Sequence, residues 1–321
     1  MSYSMAETEA LFGQMLDGQM VDDAIADLLV EMADRGETAE EVAGAVRAMR
    51  ARMLTVAAPD NAIDVCGTGG DGQHSLNVST AVALVVAACG VPVAKHGNRA
   101  ASSKAGGADT LETLGLDLAR AGHQAEATLP DLGIAFLFAQ AHHPALARIA
   151  PIRKALGRRT IFNLTGPLAN PASVRHQLVG VAHPDIVPLY AEAMRLLGTD
   201  RALVVSGMEG LDELSIAGPS RVEGVGFDAP AELVPEDAGL ARHPLDTIKG
   251  GDPDYNALAL RRLLQGESGA YRDAVVLNAA AALWVAGEAD NLPAGAEEAA
   301  EAIDKGLANA LLNCWIDTVK A

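Results

Sequence analysis

The sequence predicts an α/β fold: a mostly parallel central sheet flanked by helices, with a small all-helical domain attached. A change of texture along the chain predicts it. The first 57 or so residues show only helical periodicity, whereas from Ala62 short apolar runs alternate with helical stretches across polar loops. Composition agrees. Half of the 321 residues are apolar but only 3% are aromatic, so the core is mainly Ala, Val and Leu, packed through close helix and strand contacts.

In chain order, Val21, Ala24, Ile25, Leu28, Leu29 and Met32 follow the i, i+3, i+4, i+7 spacing of one apolar helix face. Gly36 ends that helix. Thr38-x-x-Glu41 is a capping box for the next, with Val42, Val46, Met49 and Met53 as its buried stripe. AIDVC (62–66) reads as a short buried strand, followed by a glycine-rich loop and a helix over 79–88. VPVAK is a second strand, running into HGNRAASSKAGGA. LVGVA, ALVVSG and VEGVGF are further strands, and the chain ends in Ala-rich helices. Strand–loop–helix alternation favours parallel pairing under a cover of helices.

The formal charge is −18. Such a surface repels nucleic-acid backbones and anionic membranes, so neither is expected as a partner. It also repels a phosphorylated substrate, so a phosphate site needs local positive charge or a metal. Cys66, Cys89 and Cys314 are odd in number, widely spaced and without metal-ligand pattern, and read as reduced thiols. The start lacks the basic and apolar regions of a signal peptide. The longest apolar run, Ala81 to Ala94, has 14 residues and contains Gly90 and Pro92, short of the roughly 20 that span a bilayer. A cytoplasmic protein is expected.

Four segments carry chemistry. Gly67-Thr68-Gly69-Gly70-Asp71-Gly72 fits G-x-G-x-x-G, but no helix opens at its third glycine. About 20 residues on, where a dinucleotide site needs an acid, the chain has Val93-Ala94-Lys95. DVCGTGGDGQHSLNVST reads better as an anion cradle: glycines let backbone N–H groups approach phosphate oxygens, and Asn77, Ser79 and Thr80 open a helix. Taken alone, it is equally a glycine-rich turn with an ordinary helix cap. The second segment, Lys95-His96-Gly97-Asn98-Arg99 with Ser102, Ser103 and Lys104, ends the next strand. Lys95 and Arg99 offer the positive charge the surface lacks. In the third, PIRKALGRRTIFNLTGPLANPA, Arg153 suits a planar carboxylate, and Gly166-Pro167 and Asn170-Pro171 make a rigid wall. In the fourth, GMEGLDELS, Asp212 and Glu213 suit a hard cation, although a bare Asp-Glu pair is more often surface charge.

Together, in this order, the segments resemble the anthranilate phosphoribosyltransferase family. GTGGD with N-x-S-T, KHGNR-x-x-S-S, the arginine-bearing helix with FN-x-x-GPL-x-NPA, and GLDE all have counterparts here, as do IKGGDPDYNA and VVLNAAAALWVAG. The resemblance implies that Gly67, Gly70, Asp71, Ser75, Asn77, Ser79, Thr80, Lys95, His96, Ser103 and Gly107 belong to the substrate site, mainly toward phosphoribosyl pyrophosphate. Asn98 and Arg153 are implied for anthranilate, and Ser79, Asp212 and Glu213 for Mg²⁺. It further implies a fold of the nucleoside phosphorylase/phosphoribosyltransferase type and a homodimer. The helical domain would be residues 1–57 joined by roughly 141–172, the α/β domain 58–140 and 173–321. The chain departs from the family pattern at Leu76, Ala105, Gly107, Thr165, Ala169 and Ser206. The competing readings are a pyrimidine nucleoside phosphorylase, which SSKAGGADTLETLG resembles, and a non-catalytic nucleic-acid-binding relative. FNLTGPLANPA and GLDE speak against the first and the acidic surface against the second.

Overall fold

The computed structural model describes residues 2–99 and 104–320. It opens with three helices, α1 (Met5–Leu16), α2 (Asp22–Arg35) and α3 (Ala39–Arg50). The expected capping box of α3 is reciprocal: the Thr38 N–H donates to the Glu41 carboxylate at 2.9 Å and the Glu41 N–H to the Thr38 hydroxyl at 3.3 Å. The buried face of α2 is narrower than its periodicity implies. Ile25, Leu28, Leu29 and Met32 are buried, but Ala24 is exposed and Val21, just ahead of the first turn, is 71% exposed. Periodicity fixes a direction on the helix, and a neighbouring element decides how wide a stripe is covered. Met53 lies beyond the end of α3 and is half-buried.

Seven strands form one sheet in the order β3-β2-β1-β4-β5-β6-β7. They are β1 (Ile63–Gly67), β2 (Val93–Gly97), β3 (Ile134–Phe138), β4 (His176–Gly180), β5 (Arg201–Gly207), β6 (Ser220–Val225) and β7 (Glu232–Leu233). The first five pair in parallel, and β6 and β7 are antiparallel. Sequence reading passes over β3: its apolar run IAFLF has no alternation, and such a run is compatible with helix or strand. The run Ala81 to Ala94 is the interior of α4 (Val78–Ala88), a turn at Gly90 and the start of β2. No helix among the described residues is long and apolar enough to cross a membrane.

Alternation along the strands supplies two cores, one per sheet face. Val65, Leu178 and Leu203 face α4 and the C-terminal helices. Cys66, Val179 and Val204 face the other way, in one continuous core with Phe12, Met32, Val46, Ile152 and Phe162 from the helical part. The chain runs β1 to β3 toward one edge and returns to β4 and β5 on the other side of β1. The direction therefore reverses between β1 and β4, where such sheets open a ligand crevice beyond their carboxyl ends.

Candidate active site

Strands β1, β2, β4 and β5 all end in glycine. At the reversal point Gly67 pairs with Gly180, and Asp212 lies directly across them. A Cβ on Gly180 would stand 1.6 Å from the Asp212 carbonyl oxygen, and one on Gly67 2.2 Å from its carboxylate. Only glycine lets the GLDE segment rest on the strand ends. The Gly69 N–H then donates to Asp212 at 2.8 Å, and the Gln73 side-chain amide donates to the Glu209 carbonyl at 2.8 Å. The loops after β1 and β5 thus form one structure, roofing one end of a cavity of about 450 Å³.

That end is built for an anion. Among the described residues, the N–H groups of Gly70, Asp71 and Gly72 carry no protein acceptor. The loop opens into α4 at Asn77. Buried Lys95 reaches up from β2, donating to the Val65 carbonyl at 2.7 Å and the Ser79 hydroxyl at 3.2 Å. The loop is pinned from behind by a bridge between Ser75 and Lys249 and by the Gly250 N–H on the His74 carbonyl at 2.8 Å.

Three carboxylates crowd beside this cradle. Burial pushes the Asp212 carboxyl up to about 7, and negative Asp71 beside it adds to the push. Glu213 accepts the Ser79 N–H at 3.2 Å; burial, then Asp212, hold its carboxyl well above the usual range, while Lys95 pulls the other way. One Asp71 oxygen is buried without a hydrogen-bond partner. Among the described residues no cluster of three or more His, Cys, Asp or Glu forms a ready metal cage.

The other end is lined by rings and apolar side chains, among them His96, His143, Leu146 and Phe162. His96 sits 5.3 Å from His143 ring to ring, and its Nδ1 is 3.1 Å from the Gly166 carbonyl. A carbonyl only accepts, so Nδ1 carries the proton and Nε2 is a bare lone pair. Burial, then the neighbouring His143, bring the His96 imidazole down to about 3. Among the described residues, the buried Nε2 of both histidines has no hydrogen-bond partner. Arg153 lies over the Phe162 ring at 5.3 Å and donates to Asn163 at 3.4 Å. Nearby Arg148, Arg158 and Arg159 pair with Asp22, Asp34 and Glu37, whereas Arg153, among the described residues, faces the cavity with no acid partner.

Comparison with known proteins agrees with this geometry. The family model described as "Glycosyl transferase family, a/b domain" matches residues 59–309, and its companion "helical bundle domain" matches residues 2–53. Over 313 residues the chain is 67% identical to the anthranilate phosphoribosyltransferase of Novosphingobium aromaticivorans, covering 97% of this chain and 95% of that one. The chain belongs to the anthranilate phosphoribosyltransferase family. Within the family, the crystal structure of the Thermus thermophilus enzyme superposes with a TM-score of 0.94 at 44% identity, covering 100% of this chain and 97% of that one. The Saccharomyces cerevisiae enzyme, solved in complex with PRPP and Mg, gives 0.88 at 28% identity, covering 99% and 93%.

The sequence-derived site residues Gly67, Gly70, Asp71, Ser75, Asn77, Ser79, Thr80, Lys95, His96, Asn98, Gly107, Arg153, Asp212 and Glu213 all line this cavity. Ser103 lies outside the described residues. The Asn77 side chain is bonded to protein on both its atoms: its amide donates to the Ala105 carbonyl, and its oxygen accepts from Thr110 and Asn256. It organises the loops around it and does not cap α4. Arg99 corrects the expectation of free positive charge, because its guanidinium is held by Asp109 at 2.9 Å and Glu112 at 2.5 Å. At Ser206 the hydroxyl is buried with no hydrogen-bond partner among the described residues. His143 and buried Asp64 were not singled out by sequence reading: His143 sits in no motif, Asp64 opens the glycine-rich segment without a role of its own there, and their surroundings exist only through spatial neighbours.

Proposed function

We propose that this enzyme transfers the phosphoribosyl group from phosphoribosyl pyrophosphate to the amine of anthranilate. The products are N-(5-phosphoribosyl)anthranilate and pyrophosphate, a step of tryptophan biosynthesis. One observation carries the reading: a single cavity joins a glycine-rich loop with adjacent carboxylates to an aromatic end lined by Arg153, His96, His143 and Phe162, where Arg153 has no acid partner among the described residues.

In this reading the loop N–H groups, the start of α4 and Lys95 bind phosphate oxygens and stabilise the charge that grows on the leaving pyrophosphate. Arg153 holds the planar carboxylate of anthranilate through two parallel hydrogen bonds. The neutral His96 ring, fixed by the Gly166 carbonyl, forms part of the wall against which the aromatic ring of anthranilate is oriented. An aromatic amine is neutral at pH 7, so no strong base is needed, and positioning in line supplies much of the rate.

Mg²⁺ fits the acidic end. The Asp212 and Glu213 carboxyls, raised first by burial and then by neighbouring acids, with one Asp71 oxygen unpartnered among the described residues, are a donor set a hard cation relieves. Asp212, Glu213 and Ser79 would hold it, with substrate oxygens and water completing its shell. Magnesium bound there neutralises charge on the pyrophosphate oxygens. The yeast relative's complex with PRPP and Mg supports this assignment. A homodimer through the helical domain, residues 1–57 with roughly 141–172, and a cytoplasmic location complete the reading. Exposed Val21 and three free cysteines support these two points respectively.

The test is direct. Anthranilate fluorescence should fall when phosphoribosyl pyrophosphate and Mg²⁺ are added to the purified protein. Unchanged fluorescence with both present refutes the reading.

A further inference from the structure

Asp64 lies on β1 beneath the cavity, fully buried and not part of its lining. A buried carboxylate is costly unless donors surround it. Here the His96 N–H donates to one oxygen at 3.1 Å, while the Asn170 amide at 2.8 Å and the Cys66 thiol at 3.4 Å donate to the other. These donors belong to β1, β2 and the 162–172 wall. Asn170 extends the link, donating also to the Ala94 carbonyl at 2.8 Å and accepting the Ala172 N–H at 2.8 Å. The same wall supplies Gly166, whose carbonyl fixes the His96 ring. The backbone of His96 is therefore referenced to Asp64 directly, and its ring through the wall that Asp64 and Asn170 fasten to β2.

We propose that Asp64 is a positioning residue for the aromatic acceptor, setting the orientation of the His96 ring and of the Gly166–Pro167 wall without touching substrate. The inference rests on the function proposed above. A carboxylate suits the task because it accepts on both oxygens and offers no proton. An amide in its place has one acceptor and one donor, so it would face the His96 N–H or the Asn170 amide with hydrogen against hydrogen. Burial pushes the Asp64 carboxyl up, and the Lys95 ammonium, then the Asn170 and His96 donors, pull it the other way. Among the described residues none of these hydrogen bonds reaches the loop 69–73, and Lys95 is the electrostatic link to the phosphate end, so the effect there should be much the smaller.

The test is steady-state kinetics on the full chain, each substrate varied in turn, for wild type, Asp64→Asn and Asn170→Ala, with melting temperatures alongside. Asp64→Asn should raise the Michaelis constant for anthranilate at least tenfold and leave that for phosphoribosyl pyrophosphate within twofold. Asn170→Ala breaks the same bond from the far side and should show the same split, smaller in size. It carries the test if Asp64→Asn does not fold. Both constants rising together, or a lower melting temperature with neither constant moved, would overturn the proposal: Asp64 would then merely hold the fold. A wild-type protein that does not consume the two substrates overturns the proposed function and this inference with it.

Discussion

At the phosphate end, the loop after β1 offers backbone N–H groups and Asp71, which crowds against Asp212 and Glu213 from the loop after β5. At the aromatic end, His96, His143 and Arg153 are already fixed by a carbonyl, a neighbouring ring and the face of Phe162. The first end is electrostatically unfinished, since its acids repel one another until a cation arrives. The second is finished in advance, with two imidazoles that burial holds toward the neutral form and, among the described residues, one arginine that no acid occupies. Such a site makes the charged donor depend on metal while the acceptor meets a preformed pocket.

The largest test of this contrast is to remove the unfinished end. Asp212→Ala with Glu213→Ala should lower turnover at least about a thousandfold, roughly 4 kcal/mol in the barrier. The melting temperature should stay level or rise, because the lost groups repel each other in the native state. Full activity of the double variant at millimolar-range Mg²⁺ would sink the assignment.

On the finished end, Arg153→Ala should raise the Michaelis constant for anthranilate about ten- to a hundredfold. That corresponds to roughly 1.5–3 kcal/mol for a charge-assisted pair. The constant for phosphoribosyl pyrophosphate should stay within about twofold, and Arg153→Lys should recover only part, since an ammonium lacks the planar fork. A rise confined to the phosphoribosyl substrate would place Arg153 on the wrong ligand.

His96 sharpens the comparison through pH. Its imidazole falls from the ordinary 6.5 to about 3 in the folded protein, so holding it neutral stabilises the fold fully above pH 6.5. That stability is lost as pH falls toward 3, by about 2 kcal/mol at pH 5 relative to pH 8 for one such histidine. Urea midpoints from pH 8 to 5 should decline less steeply in His96→Asn. Some slope should remain from His143, which burial lowers in the same direction. Parallel curves for the variant and wild type would show that His96 is not held neutral.

Arg99→Ala should do least. Two partly exposed ion pairs contribute on the order of 0–1 kcal/mol. Because its charge already faces Asp109 and Glu112, the phosphoribosyl pyrophosphate constant should change no more than about threefold. A tenfold rise would return Arg99 to the phosphate site.

The four motif segments were legible because each is local. A glycine loop after a strand, a lysine at a strand end, a proline-rich wall and an acidic pair are properties of a few consecutive residues. The parallel sheet followed from strand–helix alternation, and the capping box of α3 from two residues three apart. Val21 and Ala24 were misjudged because periodicity points a helix face without showing what covers it. Arg99 and Arg153 are both arginines beside apolar residues in the sequence, yet one meets two acids and the other none.

The sequence by itself determined the fold class, the order of the elements and the chemical types available, since propensity, capping and loop chemistry act between near neighbours. Only the tertiary structure decided that Gly67 and Gly180 pair beneath Asp212, that Asn77 is consumed by Thr110 and Asn256, and that Asp64 ties His96 to Asn170. The physical reason is sequence distance. These contacts join residues 33 to 179 positions apart where both are hydrogen bonds to Asn77, and charge, burial and hydrogen bonding depend on which atoms meet in space.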